Sequence, residues 1–313
     1  MKTAHRILPL SIALGIAALV VLSLPASGSG AQNIRPPQDD PFQRGLVLKG
    51  VREYCKRLER AALDFVCLED VSEKLDGSRE KQEADVRVDS RVTSGVGGVG
   101  RMNMSARPMT FNPSASQKTD HRYLFDYQFV RQAGQVKENR VLLEKDGKKA
   151  KPKEEPPQMA VFSCSEILLL PVKLVDERTA EYYDFRLLRE DALEGAKVWV
   201  LEVSPRLSIK GYLGGRLWID QRDSSILRIE WDPTTFGHYD AIRQNAVRYK
   251  ETPAVTSFTD FGFVKNGVRF PSLDFTEEAY VDAGGKKFIR SQTQVSYKSY
   301  KFFTVETETN FKK

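Results

Sequence analysis

The chain has 313 residues, with 48 Lys and Arg against 42 Asp and Glu, a formal net charge of +6. That length allows one large β domain or two small ones. Basic and acidic residues are interleaved, and the one locally basic run, Lys145 to Lys153, is flanked by Glu144 and Glu154. Nucleic-acid binding requires a concentrated basic face, which this pattern excludes.

In chain order, the first element is an export signal. MKTAHR carries Lys2 and Arg6 and no acid. An apolar run from Ile7 to Leu24 follows, broken by Pro9 and Gly15, and its uninterrupted part, Ile12 to Leu22, has the length of a signal core. Ser29-Gly30-Ala31 fits the small-x-small cleavage rule, so the predicted cut falls after Ala31 and residues 1–31 are a signal peptide. A spanning helix requires about 20 apolar residues, and the next longest apolar run is only Ile167 to Leu170. No Cys follows the signal core, so no lipobox is formed. The expected product is a soluble passenger, periplasmic or secreted, and not an integral membrane protein after cleavage. Its domain plan is a disordered lead-in over 32–40 and a single β-rich domain over 41–313.

Asp40-Pro41 predicts a helix start, with Asp as cap and Pro at the first helical position. Val47, Val51, Tyr54, Cys55, Leu58, Ala62 and Phe65 recur at steps of three and four, one apolar face of a helix over 41–64. Lys49, Arg52, Lys56, Arg57 and Arg60 make the opposite face basic. This helix is either simply packed on a sheet or is a lid, with Val47, Val51, Tyr54 and Leu58 as the lid residues.

Beyond Phe65 the period changes to two. Val86 and Val88 alternate with charges, as do Tyr123, Phe125, Tyr127 and Phe129, then Val141 and Leu143. Trp199, Leu201 and Val203 form another strand. Leu217 and Ile219 pair across Gln221 to Ser225 with Leu227, Ile229 and Trp231. Phe261 and Phe263 precede the Asn266-Gly267 hairpin signal, and Val268 and Phe270 follow it. Asp282-Ala283-Gly284-Gly285 is a further turn before strands carrying Val295, Tyr297, Phe303 and Val305. Short turns between strands predict an antiparallel meander with one apolar, aromatic face and one charged face. Ser94 to Ser116 and Asp146 to Pro157 are loops, and a short helix around Ile167 to Leu170 is bent by Pro171.

Few residues carry chemistry. GVGGVG at Gly95, Gly97 and Gly100 has dinucleotide-binding spacing but is followed by two prolines and no helical period, so it reads as a loop tip. Once His5 leaves with the signal, only His121 and His238 remain. FGHYD around His238 reads as a surface turn. GxSxG and HExxH are absent, and three separated cysteines are no metal set. Cys55 and Cys67 could form a disulfide in an exported protein, or stay buried thiols with Cys164. The expectation is no metal, no cofactor and no enzyme. What remains is an aromatic face too rich for a thin sandwich, covered either by a second sheet or left as the wall of an apolar cavity.

The stretch GGRLWIDQRDSSILRIEW, Gly214 to Trp231, resembles the central hairpin of the outer-membrane lipoprotein-sorting superfamily, the periplasmic lipoprotein carriers and their relatives. The resemblance is clearest from about Tyr123 to Glu308. It implies an unclosed β-barrel, a mainly β fold whose curved antiparallel sheet carries the N-terminal amphipathic helix on its concave face, with an apolar interior. No carrier ligand-binding residue matches one by one. The expected function is non-catalytic binding of a lipid, acyl chain or lipidated protein. The expected cavity residues are Tyr123, Phe125, Tyr127, Phe129, Trp199, Leu217, Ile219, Leu227, Trp231, Phe261, Phe263 and Tyr297. An envelope protein-interaction or sensor module is the first alternative. A carboxylate-based hydrolase, recognised by two acids about 5–10 Å apart in a cleft, is the second.

Overall fold

The computed structural model describes residues 39–61, 64–79, 118–132, 135–151, 167–206 and 212–303. The signal peptide, most of the lead-in, the Val86 strand, the GVGGVG loop, the Ala133-Gly134 turn, Cys164 and Val305 lie outside the described residues.

Helix α1 (Pro41–Ala61) begins where its cap predicts: the Phe42 N–H donates to Asp40 Oδ1 at 2.9 Å. It ends before the expected residue 64. Asp64 is a bend and Phe65 opens strand β1 (Phe65–Asp76), so Phe65 belongs to the sheet and not to the helical face. The remaining strands are β2 (Lys118–Gln132), β3 (Gln135–Lys145), β4 (Lys148–Lys149), β5 (Tyr183–Leu193), β6 (Ala196–Pro205), β7 (Gly215–Asp220), β8 (Ile226–Trp231), β9 (Thr252–Asp260), β10 (Phe263–Lys265), β11 (Val268–Phe270), β12 (Leu273–Val281) and β13 (Lys287–Phe302). Eleven of them form one antiparallel sheet in the order β4-β3-β2-β1-β13-β12-β9-β8-β7-β6-β5. Its two edges are different strands, so the sheet is not closed: the fold is mainly β, an open barrel-like sheet.

β10 and β11 are an excursion between β9 and β12. They form their own two-stranded hairpin around Asn266-Gly267, whose φ values of 53° and 72° suit a turn with both central residues left-handed. The excursion leaves the sheet at Asp260 and returns at Leu273, which pairs with it.

Two short helices complete the cover. In α2 (Leu170–Val175) Pro171 sits in the first turn, so it opens the helix instead of bending it. α3 (Tyr239–Tyr249) occupies the stretch expected to be a turn. Only Ile242 and Ala246 are buried along it, too few apolar positions to show a helical period.

Side-chain direction along the sheet is set by register and reset by bulges. Tyr123, Phe125, Tyr127 and Phe129 lie opposite Val71, Glu69, Cys67 and Phe65 of β1. Val71 and Glu69 in turn lie opposite Val295 and Tyr297 of β13. All of these side chains are buried. A bulge between Leu124 and Phe125 shifts β3 by one residue, so Leu142 points inward while Val141 and Leu143 are exposed. That reverses the face expected for β3.

Candidate functional site

The concave face of the sheet carries most of the expected cavity set. Tyr123, Phe125, Tyr127, Phe129, Leu217, Ile219, Trp231, Phe261 and Tyr297 are buried in one hydrophobic cluster, with Trp199 and Phe263 half-buried against it. Val47, Val51, Tyr54, Cys55 and Leu58 of α1 belong to the same cluster, as do Leu170, Leu174 and Val175 of α2. The helical face read from the sequence therefore meets the aromatic strand face. Leu227 is the exception and a correction. A bulge between Trp218 and Ile219 makes Ile226 the partner of Ile219, so Leu227 turns to the other face. There it packs on Val198, Val200 and Trp218.

The densest aromatic packing stands at one end. Phe65 stacks on Phe129 with ring centroids 5.2 Å apart, and Phe263 stacks on Tyr300 at 4.7 Å. Phe270 meets Phe302 edge-on at 5.0 Å. The β10–β11 hairpin is thus folded down over the sheet by its own aromatics, each pair contributing about 0.5–1.5 kcal/mol beyond burial. Phe65, Phe270, Tyr300 and Phe302 were not among the expected cavity residues, although the F-x-x-Y-x-F spacing of the last strand was available as a signal.

Polar contacts hold the cover in place. The Arg269 N–H of β11 donates to Tyr54 Oη at 3.0 Å, joining helix to hairpin. Arg52 Nε donates to the Val175 carbonyl at 2.9 Å, joining α1 to α2. The Leu187 N–H, on edge strand β5, donates to Asp39 Oδ1 at 3.1 Å just before α1 begins.

The concave face is not uniformly apolar, which the sequence did not show. Glu69, Glu73, Ser257, Thr259, Thr276, Glu278, Ser291 and Thr293 are all buried. Arg140 of β3 makes a two-point ion pair with Glu69, at 2.7 and 3.1 Å, and lies 4.8 Å from the centre of the Tyr127 ring. Tyr127 donates to Glu138 at 2.5 Å. Further along, Trp231 Nε1 donates to Thr259 Oγ1 at 2.9 Å, and Thr259 donates to Asp274 Oδ1 at 2.6 Å. Asp274 is deeply enclosed, and this burial pushes its carboxyl up to about 6, against the stabilising bond from Thr259.

At the α3 end a bulge between Glu278 and Ala279 leaves Arg290 as the extra residue of β13. Arg290 is 1% exposed, and its guanidinium donates to Glu278 Oε2 at 2.9 Å. Ser291 donates to the same oxygen at 3.3 Å, and Tyr280 donates to the other one. His238 is half-buried at the start of α3 and is not the surface residue that its FGHYD context predicts. Burial holds its imidazole below the ordinary value, with Glu278 pulling the other way.

Cys55 and Cys67 are both free, buried thiols, so the disulfide that their spacing allowed is not formed. Their surroundings explain it. Cys55 looks from α1 onto a cleft lined by Val172 and Val175, whereas Cys67 sits on β1 beside the Tyr300 hydroxyl. Burial pushes both thiols well above the ordinary cysteine range, which makes them poor nucleophiles.

Three larger openings flank this core. One of about 310 Å³ lies between α1 and α2, lined by Arg52, Cys55, Val172 and Val175. One of about 780 Å³ is lined by Leu227, Phe261, Arg269 and Lys298. The largest, about 920 Å³, lies beside α3 and the Pro233–Thr235 turn. No group of three or more His, Cys, Asp or Glu side chains among the described residues is placed to hold a metal ion. No helix among them is long and apolar enough to cross a membrane.

No family model matches the chain, and no curated protein matches it. Solved structures do. The chain is similar to an outer membrane lipoprotein-sorting protein domain from Vibrio parahaemolyticus, at 11% identity over 85% of this chain and 95% of that one, with a TM-score of 0.41. A DUF1329 family protein from Desulfovibrio piger matches at 11% identity over 85% and 97%, with a TM-score of 0.37. A LolA superfamily protein from Nitrosomonas europaea matches at 10% identity over 84% and 94%, with a TM-score of 0.30. These include the superfamily that the Gly214–Trp231 hairpin resembles.

Proposed function

We propose that the chain is an exported, non-catalytic binding protein that takes an acyl chain, a lipid or the lipid of a lipidated protein against the concave face of its sheet. In this reading residues 1–31 are removed on export and the protein works in the periplasm or outside the cell. The observation that carries the proposal is the covering of that face. An aromatic strand surface is closed by a single amphipathic helix, a short helix and a hairpin flap, all joined by a few hydrogen bonds, and not by a second sheet.

Magnitudes support exchange between cover and ligand. Exposing the four lid side chains Val47, Val51, Tyr54 and Leu58 costs about 2 kcal/mol each, about 8 kcal/mol together. An acyl chain of about 15 methylenes, at about 0.8 kcal/mol each, returns about 12 kcal/mol. A long acyl chain therefore offsets the lifting of α1, and a short one does not.

The test is mass spectrometry of lipid extracted from the purified protein, together with titration by a fluorescent long-chain fatty acid. Co-purifying lipid, or saturable binding that falls off steeply with chain length, supports the carrier reading. An empty protein that takes up no fatty acid overturns it.

One observation favours the protein-interaction reading: the described core is packed side chain to side chain, so the outer surface is what a partner meets first. Envelope proteins captured by a lipid-free preparation that binds no fatty acid would select it. The hydrolase reading rests on the acids of the concave face. There Glu69 is ion-paired with Arg140, and Glu278 accepts from Arg290, Ser291 and Tyr280, which leaves Asp274 as the acid to test. An esterase activity abolished by Asp274→Asn would select that reading.

A further inference from the structure

The cleft of about 920 Å³ lies away from the α1 cover. It is bounded on one side by α3 and on the other by Ser204, Pro205, Tyr212 and the Asp232–Phe236 segment. Its α3 wall is a stripe: Arg243, Val247 and Lys250 all line it. These positions are four and three residues apart, so they share one helical face. Val247 is 79% exposed, an apolar residue presented to solvent between two cations.

The charges of this cleft fall into two groups. Asp232 is committed locally, accepting from the Thr234 N–H at 3.0 Å and the Thr234 hydroxyl at 2.7 Å. Glu251 is held by Arg79 at 2.7 Å. Arg243 and Lys250, by contrast, have no carboxylate within ion-pair distance among the described residues. Asp240 stands one turn before Arg243, at the far end of the stripe.

We propose that this cleft binds an extended acidic peptide segment of a partner protein, with two carboxylates three residues apart and an apolar side chain between them. The spacing makes the argument. Arg243 and Lys250 are seven residues apart along a helix, about 10.5 Å at 1.5 Å per residue. Three residues of extended chain span about 10 Å. A single phosphate or headgroup requires cations that converge on one point, and these two flank an exposed valine instead. Tyr212, Tyr239 and Phe236 supply apolar floor between the charges. Asp240 repels a third carboxylate and so limits the acidic stretch to two. This site does not depend on the concave face, and acyl binding there is expected to be indifferent to it.

The experiment uses the full mature chain and a fluorescein-labelled peptide Gly-Glu-Val-Ser-Glu-Gly, with Gly-Gln-Val-Ser-Gln-Gly as control, read by anisotropy and by amide NMR shifts. The Glu peptide is expected to bind at least tenfold tighter than the Gln peptide, with shifts confined to residues 239–253. Binding is expected to weaken several-fold between 50 and 500 mM salt, as about one Debye length shrinks towards 3 Å. The double variant Arg243→Glu with Lys250→Glu, both exposed positions that do not hold the fold, is expected to lose that preference. Equal binding of the two peptides, no binding at millimolar peptide, or an unchanged double variant would overturn the proposal. So would a double variant that loses binding to phosphatidylglycerol vesicles while neither peptide binds, which would make the cleft a headgroup site.

Discussion

The aromatic end of the concave face and its α3 end stand on neighbouring strands of one sheet, yet different forces hold them. At the first, Phe65, Phe129, Phe263, Phe270, Tyr300 and Phe302 pack ring on ring under the β10–β11 hairpin. At the second, Glu278, Arg290, Tyr280 and Ser291 form a buried charged network under α3. Packing of apolar area is non-directional and tolerates exchange of one side chain for another of similar volume. A buried charge network tolerates no missing member, because each removal strands a charge out of water. The sheet thus has one end that can be remodelled around a ligand and one end that cannot.

The sharpest break in that comparison is Glu278→Ala. It leaves Arg290 buried without its carboxylate and is expected to cost about 3–5 kcal/mol, measured by urea unfolding. Loss of under about 1 kcal/mol would show that the α3 end is held by packing after all.

Asp274→Asn comes next and has the opposite sign. The Asp274 carboxyl is raised from 3.8 to about 6, so between those values the folded state binds more protons than the unfolded one. Its contribution is therefore favourable below about pH 4 and is lost as pH rises through about 6. The Asn variant is expected to be more stable than the parent at pH 7, by at most about 3 kcal/mol, with the difference vanishing at pH 4. Thermal melts at the two pH values check it. A variant less stable at pH 7 would mean that the carboxylate is held charged by a partner.

Phe65→Leu probes the aromatic end. It keeps most of the buried volume and is expected to cost about 1–1.5 kcal/mol in the same unfolding assay. Tyr54→Phe removes the acceptor for the Arg269 N–H and loosens helix from hairpin. About 1 kcal/mol of stability is expected to go, with faster uptake of fatty acid in stopped-flow fluorescence. Asp70 lies on the convex face with Arg122 and Lys298, at 2.6 and 3.3 Å. Asp70→Asn is expected to change stability by no more than about 0.5 kcal/mol, as befits exposed ion pairs.

How much of this was legible follows the same division. α1 was readable because Asp40-Pro41 marks its start and Val47, Val51, Tyr54 and Leu58 repeat at helical spacing. The hairpin flap was readable from Asn266-Gly267, and the β2 face from its four alternating aromatics. β9 and β12 were not, because the residues they turn inward are Ser257, Thr259, Thr276 and Glu278. Polar residues are buried only when partners meet them, and those partners come from strands distant in sequence. The bulges were equally hidden. Each displaces one residue and reverses a face, which is how Leu142 came to point inward, Leu227 outward and Arg290 into the core. The α3 stripe escaped notice because a helix resting on two buried residues has almost no apolar period.

The most direct test of the carrier reading is to locate the ligand. A long-chain fatty acid bearing a diazirine near its methyl end would be photolysed on the purified protein and the adducts mapped by peptide mass spectrometry. The prediction is labelling concentrated on the concave residues of β1 and β2, Phe65 to Val71 and Tyr123 to Phe129, and on Val51 to Leu58 of α1. Adducts scattered over the convex face, or none at saturating fatty acid, would contradict it.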